Sequence, residues 1–370
     1  MLLAQSDLLL LRLTGAYRWL PCASLSALNL KSLRYAATSL SDISLVRIAH
    51  SGKYMYLTTE GCEFLNSLSY LADTEGKRAY KNSPALKRRL EVASVMLTCL
   101  RAGIDTLQDD IDALAQQPTF YPAFYLRTGE INLMNAASCI GFGNWGDRAY
   151  MLQYVGADSK GMYQANEMTL FKNLSSVFSK ALRYPKAMIF AGESYAEVYD
   201  RVHRRVLPQS KSARAYIDYS EVYADLDIPV HLLSCDETGA TQLAIMRQPN
   251  YNAKIAQAAF GERIRPDDEI PDADGRVDDF AFVVGVDMDV RRVLRIVEAA
   301  HKLGRSEVVV AALPKQLQDF YTPLFAADEL VTLRSIPESV ITRAFGDAAR
   351  LFEPDKSTPA TARNGGTINA

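Results

Sequence analysis

Basic and hydrogen-bonding side chains recur on one side of a predicted helix near the start of the chain. Its polar face carries Lys31, Arg34, Tyr35 and Thr38. Its apolar face carries Leu33, Ala37, Leu40 and Ile43. These spacings of three and four residues are typical of an amphipathic helix. Cationic and hydroxyl side chains on an exposed helix face are the groups that contact phosphates and base edges of DNA. We therefore expect this helix to bury one face and to bind DNA with the other.

A short hairpin is predicted directly after this helix. Residues 45–49 and 54–57 have the alternation of β-strands, and Ser51-Gly52-Lys53 between them can turn with Gly52 at positive φ. His50 and Lys53 lie near the tip, where contact with backbone phosphate is expected. The predicted DNA-binding residues are Lys31, Arg34, Tyr35, Thr38, Arg47, His50 and Lys53.

The hairpin leads into another helix. Thr58 or Thr59 can cap it, and Glu60 falls in its first turn, where a carboxylate is favoured. Together with apolar segments at 7–13 and 22–28, this order of elements resembles a winged helix-turn-helix. The run Tyr56-Leu57-Thr58-Thr59-Glu60-Gly61 is similar to the "Y-L-T-x-x-G" end of the wing in that superfamily. The resemblance implies a DNA-binding domain over residues 1–72 with double-stranded DNA as its partner.

Composition supports a local rather than a global DNA-binding surface. The 370 residues are 48% hydrophobic and 23% charged, which suits two or three globular domains, and the net charge of −2 gives no overall attraction to nucleic acid. The charge is instead +2 over residues 1–72 and +3 over residues 73–91. Two alternatives stand beside DNA binding: these are ordinary solvated charges, or the winged helix is a protein-interaction module.

Cysteine and histidine usage favours a reducing compartment and no metal site. The five cysteines are scattered and odd in number, and the four histidines lack metal-ligand spacing. No apolar run reaches the length of about eighteen residues that a membrane span needs. We predict a cytoplasmic protein with no membrane partner, no cofactor, no metal and no assigned catalytic residue.

Residues 73–117 are predicted to form a basic linker followed by a long helix. The polar stretch 73–83 ends at Pro84, and apolar residues then repeat at spacings of four and three from Leu86 to Leu114. Such a seam packs either within its own chain or against a second copy in a homodimer. Gly103 is a place where the helix can break.

An α/β domain is predicted over residues 118–350. The strand candidates are Phe120–Leu126, Ala149–Val155, Ala187–Ala191, Val230–Leu233, Phe280–Val286, Glu307–Ala312 and Glu329–Leu333. The helix candidates are Glu167–Leu182, Ser194–Val206, Val290–Leu303, Leu313–Phe325 and Pro337–Phe345. This alternation favours a mixed sheet that is largely parallel near the C-terminal end. A subdivision is expected near residues 249–275, and residues 351–370 are expected to be a disordered tail.

Two motifs in this domain invite functional interpretations. Gly141 to Gly146 matches G-x-G-x-x-G, but the following run from Arg148 is a strand candidate where a dinucleotide-binding loop would open a helix. We interpret it as a glycine-rich connection between two strands. Asp287 and Asp289 follow a strand and could be Mg²⁺ ligands, whereas Asp289 is also a good N-cap for the next helix.

The order of winged helix, basic linker, helix and α/β domain is similar to the replication-relaxation proteins of bacterial plasmids and conjugative elements. This resemblance implies a restriction-endonuclease-like sheet with acidic residues on one strand. Here that strand carries Gln153, and the nearest carboxylates are Asp147, Asp158 and Glu167, so metal-dependent cleavage is not expected.

The sequence therefore predicts a non-catalytic DNA-binding accessory or regulatory protein of a mobile element, with protein partners in a replication or transfer complex. One alternative is a metal-dependent nuclease or a nucleotide-binding enzyme in the α/β domain. Another is a winged-helix transcriptional regulator that senses a small ligand.

Overall fold

The computed structural model describes residues 3–49, 52–68, 70, 84–107, 118–123, 139–156, 185–204 and 218–354. The chain is mixed α/β and divides into two compact units. One unit is drawn from Met1–Lys81 and Phe352–Ala370, and the other from Asn82–Leu351. No helix within the described ranges is long and apolar enough to cross a membrane.

The described residues of the first unit form four helices and a small sheet. The helices are α1 Gln5–Tyr17, α2 Cys22–Ala27, α3 Lys31–Asp42 and α4 Thr59–Ser67. The strands are β1 Leu20–Pro21, β2 Val46–Ala49 and β3 Tyr54–Leu57. The sheet has the order β1-β3-β2, and both strand pairs are antiparallel. The predicted helix and hairpin are thus confirmed as α3 and the β2–β3 pair.

One residue of the predicted apolar helix face is misplaced. Ile43 is 44% exposed, whereas Leu33, Ala37 and Leu40 are buried as expected. The cause is that α3 ends at Asp42 and Ser44 turns the chain with φ at +62°, so Ile43 no longer follows the helical period. Ala36 lies on the buried face instead.

The start of α4 fixes the junction between α3 and β2. The Thr58 hydroxyl donates to the Ser44 carbonyl at 2.6 Å and accepts from the Gly61 amide at 3.0 Å. The Thr58 amide donates to the Leu45 carbonyl at 3.2 Å. A Cβ at Gly61 would clash with that same carbonyl oxygen. Thr58 and Gly61 therefore hold the start of α4 against the turn between α3 and β2.

The second unit is larger. Its main helices are α5 Pro84–Arg101, α6 Tyr195–His203, α7 Tyr219–Asp225, α8 Glu237–Met246, α9 Tyr251–Phe260, α10 Val290–Leu303 and α11 Glu338–Phe345. Short helical turns occupy Gly261–Arg263, Pro314–Gln316, Leu317–Tyr321, Thr322–Leu324 and Gly346–Ala349. Its strands are β4 Thr119–Pro122, β5 Cys139–Trp145, β6 Arg148–Tyr154, β7 Lys186–Gly192, β8 Val230–Ser234, β9 Gly275–Val277, β10 Phe280–Val284, β11 Glu307–Ala312 and β12 Val331–Ser335.

These strands form two mixed sheets where the sequence predicted one. The first has the order β4-β5-β6-β7-β8, and the second has the order β12-β11-β10-β9. Strands β6, β7 and β8 pair in parallel, as do β10, β11 and β12, while β4, β5 and β9 add antiparallel pairs. The parallel character near the C-terminal end is confirmed. Apolar side chains of both sheets and of α6, α7 and α10 share one core.

The predicted long helix is shorter than its apolar seam. Helix α5 ends at Arg101, and Gly103 follows with φ at +74°, a conformation that terminates helices. The Asp105 amide and carbonyl then bond to Pro118 and Phe120 of the β4 segment. Leu107 is therefore outside the helix, and the rest of the seam, including Leu114, lies outside the described residues. Helix α5 belongs to the second unit rather than to a separate linker segment.

The glycine-rich motif is not a connection between strands but strand β5 itself. Only Gly146, with φ at +63°, lies in the turn before β6. Gly141 and Gly143 leave room for the rings of Phe120 and Trp145, which a Cβ at either position would strike. The glycines thus serve side-chain packing, and β5 was missed because glycine is normally unfavourable in strands.

The segment 249–275 also differs from expectation. Helix α9 occupies its first half. In the second half, Asp267 pairs with Arg305 at 3.1 Å. The whole segment lies within the second compact unit. Helices α7 and α8 and strand β9 had not been predicted. The helix predicted at Glu167–Leu182 and residues 355–370 of the predicted tail lie outside the described residues.

Candidate nucleic-acid interface

The outer face of α3 presents the predicted contact residues to solvent. Lys31, Arg34, Tyr35 and Thr38 are all exposed. Tyr35 is exposed to 77%, which is unusual for a large aromatic side chain in a folded unit. The helix is held by its buried face, so these four side chains are free to contact a partner.

The hairpin divides its basic residues between two faces. Arg47 is paired with Tyr56 and Ile48 with Met55, and neighbouring residues of a strand point to opposite sides. Arg47 therefore faces away from Ile48. Lys53 lies at the turn, where its carbonyl accepts a hydrogen bond from the Cys22 amide at 3.0 Å. His50 lies outside the described residues.

A groove of about 440 Å³ joins α3 to the hairpin. Three of the seven predicted residues line it, namely Arg34, Thr38 and Lys53. Lys31 and Tyr35 lie on the same helix but outside the groove lining, and Arg47 is on the other face of the hairpin. The structure thus brings together the middle of the helix and the hairpin tip, and it separates Arg47 from them.

The cations of this region have no anionic partners within the described part of the chain. Lys31, Arg34, Arg47 and Lys53 form no ion pair with a described residue. Arginines of the second unit behave differently: Arg292 pairs with Asp274 at 3.0 Å, for example. Cations without anionic partners, such as Arg34 and Lys53 in the groove, leave a positive potential that attracts phosphate.

The charge of Arg34 also acts on Cys22, which lines the same groove. Burial raises the pKa of the Cys22 thiol, and the nearby Arg34 guanidinium opposes that rise. Cys22 thus lies within the electrostatic range of Arg34, and the Cys22 amide donates a hydrogen bond to the Lys53 carbonyl. Cys22 is therefore close to both residues that supply the cations of the groove.

The aspartates after β10 have structural partners. The Asp289 carboxylate accepts from the Arg292 amide at 3.1 Å, which confirms its predicted role as N-cap of α10. The buried Asp287 carboxylate accepts from the Tyr251 hydroxyl at 2.8 Å. Burial alone would raise the pKa of Asp287, but the charge of Arg292 and the proximity of His231 hold it below its usual value. Within the described ranges, no three His, Cys, Asp or Glu side chains are placed to hold a metal ion.

The strand expected to carry nuclease ligands is internal to its sheet. Gln153 of β6 is fully buried between Cys139 of β5 and Phe190 of β7. Asp147 lies in the preceding turn, where it faces Arg148 at 3.8 Å. Asp158 and Glu167 lie outside the described residues.

A polar cluster at the carboxyl ends of parallel strands was missed by the sequence analysis. Asp236, just after β8, accepts hydrogen bonds from Ser234 and from Lys315, which follows β11, at 2.6 Å each. Burial would raise the pKa of Asp236, but these bonds and the Gly239 amide lower it. The sequence signal for this cluster was Ser-Cys-Asp-Glu after an apolar run, which is typical of a strand followed by a capped helix. Asp236 is the N-cap of α8.

Comparison with known proteins adds no family to this description. No family model matches the chain, and no curated protein or solved structure matches it.

Proposed function

We propose that the first unit is a winged helix-turn-helix that binds double-stranded DNA. In this proposal α3 is the recognition helix and the β2–β3 hairpin is the wing. The observation that carries it is that four cations on α3 and the hairpin have no ion-pair partner among the described residues, and that two of them line one groove.

The physical argument is one of charge and access. Each cation that neutralises a phosphate releases condensed counterions, which lowers log K by about 0.9 for each tenfold rise in salt. An exposed helix face with Arg34, Tyr35 and Thr38 also offers hydrogen bonds and an aromatic ring to base edges in a major groove. Residues 1–72 carry a net charge of +2 in a chain whose net charge is −2, so the remainder is net acidic and the attraction is concentrated in the first unit.

The role of this binding is proposed from layout alone. A winged helix joined to an α/β domain suits an accessory or regulatory protein of a plasmid or conjugative element. The second unit then serves assembly or partner contact, since Asp236, Asp287 and Asp289 near its strand ends have structural partners. Relaxase or coupling-protein genes beside this gene would support transfer, and an initiator gene would support replication.

Binding of the full-length protein to a short fluorescent duplex tests the proposal. Anisotropy should rise with protein concentration at low salt, and the affinity should fall linearly on a log–log plot against salt. A protein that leaves the anisotropy unchanged at low salt would contradict DNA binding.

A further inference from the structure

The groove between α3 and the hairpin has more room and more apolar surface than a phosphate contact requires. Its volume of about 440 Å³ lies in the range of sites that enclose a small organic molecule. Its large apolar lining residues are Leu25, Ile48 and Met55, of which Leu25 and Met55 are buried and Ile48 keeps 37% of its surface exposed. A phosphate gains nothing from such a surface, whereas the flat face of a nucleobase does.

Polar groups line the same groove without any carboxylate among them. Ser26 and Thr38 supply hydroxyl groups, and Arg34 and Lys53 supply positive charge. Both cationic residues line the groove, so an anionic group bound in it lies in a positive potential. The apolar surface matches the base of one nucleotide, the hydrogen-bonding groups match the base edge, and the two cations match the phosphate.

We propose that this groove binds one unpaired nucleotide of a DNA strand, with its base against Ile48 and its phosphate near Arg34 and Lys53. The inference rests on the proposed DNA binding and specifies its substrate further. A base within a duplex is covered on both faces by its neighbours, and extracting it costs stacking and pairing energy. A base in an overhang or at a fork is already exposed, so it enters the groove without that cost.

The remaining exposed residues of α3 leave the duplex contact available at the same time. Lys31 and Tyr35 lie outside the groove lining on the same helix. The preferred substrate is therefore a junction between duplex and single strand rather than an uninterrupted duplex.

Two exposed alanines of α2 allow a matched test. Ala23 lines the groove and Ala27 does not, and both side chains are exposed, so a larger residue at either position is compatible with folding. Ala23→Phe fills the groove without changing its charge, and Ala27→Phe adds the same bulk outside it.

Anisotropy titrations of the full-length protein and both variants should use a blunt duplex and the same duplex with an overhang on either strand. We expect the native protein and Ala27→Phe to bind an overhang about tenfold more tightly than the blunt duplex. Ala23→Phe should lose that preference, so that it binds the overhanging and the blunt duplexes with equal affinity. Equal binding of blunt and overhanging DNA by the native protein would overturn the inference but leave duplex binding standing. Failure to bind any of these DNAs would overturn both proposals.

Discussion

Lys53 and Arg47 belong to the same hairpin but occupy different surroundings. Lys53 lines the groove beside Arg34, whereas Arg47 lies on the opposite face of the hairpin next to Tyr56. Their sequence positions alone gave them equal roles. Strand alternation distinguishes them, because successive residues point to opposite faces.

The first prediction compares these two residues. Lys53→Ala should weaken DNA binding by removing a phosphate contact, and it should reduce the salt slope by about one unit. Arg47→Ala should change both quantities less, because its side chain points away from the groove. Anisotropy titrations over a salt series measure both effects. A larger loss for Arg47→Ala would place the DNA on the other face of the hairpin.

A second prediction concerns Asp236 and the pH dependence of stability. Since its pKa is lowered in the folded state, its contribution is present above the unfolded pKa and is lost as the pH falls below about 4. Asp236→Asn should cost about 1 kcal/mol at neutral pH, where the charged hydrogen bonds are made. The difference from the native protein should shrink as the pH falls.

Urea denaturation followed at several pH values measures this difference. Lys315→Met is the matched control, because it removes the partner that donates to Asp236 at 2.6 Å. The double variant should be about as stable as the less stable of the two single variants, because both changes remove the same interaction. A constant difference between native protein and Asp236→Asn across this pH range would contradict the assignment.

At the scale of elements, the contact between α4 and the α3–β2 junction determines where the hairpin lies. Thr58 caps α4 and also bonds to the Ser44 carbonyl. The hairpin tip is held separately, through the bond between the Cys22 amide and the Lys53 carbonyl. Two independent anchors therefore keep the hairpin beside α3.

A third prediction follows from the first anchor. Thr58→Ala should destabilise the first unit by about 1 to 2 kcal/mol, since it removes an N-cap and a bond to the preceding turn. Thr59→Ala is the control, because Thr59 begins the helix but does not cap it. Chemical denaturation measures both variants. Equal losses for the two threonines would show that the cap is not specific to Thr58.

The sequence predicted elements well where periodicity and local capping agree. Helix α10 was predicted with its exact bounds, because its apolar period and the Asp289 cap both define it. Prediction failed where distant contacts decide the structure. Strand β5 contains glycines that make room for Phe120 and Trp145, and no local pattern reports that need. The apolar seam after Gly103 likewise continued in sequence beyond the point where the backbone leaves the helix.

The candidate site was predicted in part. The exposed face of α3 follows from its period, and the hairpin follows from alternation around Gly52. The groove itself was not predictable, because it depends on how α2 packs against both elements. Cys22 and Ser26 lie on α2 and Ile48 lies on β2, and only the folded unit places them around one concave surface.

At the scale of the whole molecule, the two units differ in the state of their charges. Among the described residues, the cations on α3 and the hairpin have no ion-pair partner, whereas several arginines of the second unit, such as Arg292 and Arg305, pair with aspartates. Such pairs stabilise a surface only slightly when exposed, but they leave little free positive charge. This contrast supports the proposal that DNA binds to the first unit.

A fourth prediction is that the chain leaves DNA intact. Phosphodiester cleavage with a divalent metal needs converging carboxylates. Two of the described carboxylates at strand ends, Asp287 and Asp236, are already bonded to Tyr251 and to Lys315. Supercoiled plasmid incubated with the protein and Mg²⁺ or Mn²⁺ should remain supercoiled. Nicking that disappears in Asp158→Ala would favour the nuclease alternative.

The central claim is that DNA binds to α3 and the hairpin tip, and paired charge reversals test it most directly. Arg34→Glu with Lys53→Glu reverses the two groove cations. Arg295→Glu with Lys302→Glu makes the same change in net charge on the second unit, at side chains that are 58% and 71% exposed. Duplex affinity of the full-length protein, measured by anisotropy at one low salt concentration, should fall about a hundredfold or more for the groove variant. The control variant should bind nearly as well as the native protein. Equal losses in both variants would contradict the claim, because binding would then depend on net charge and not on this site.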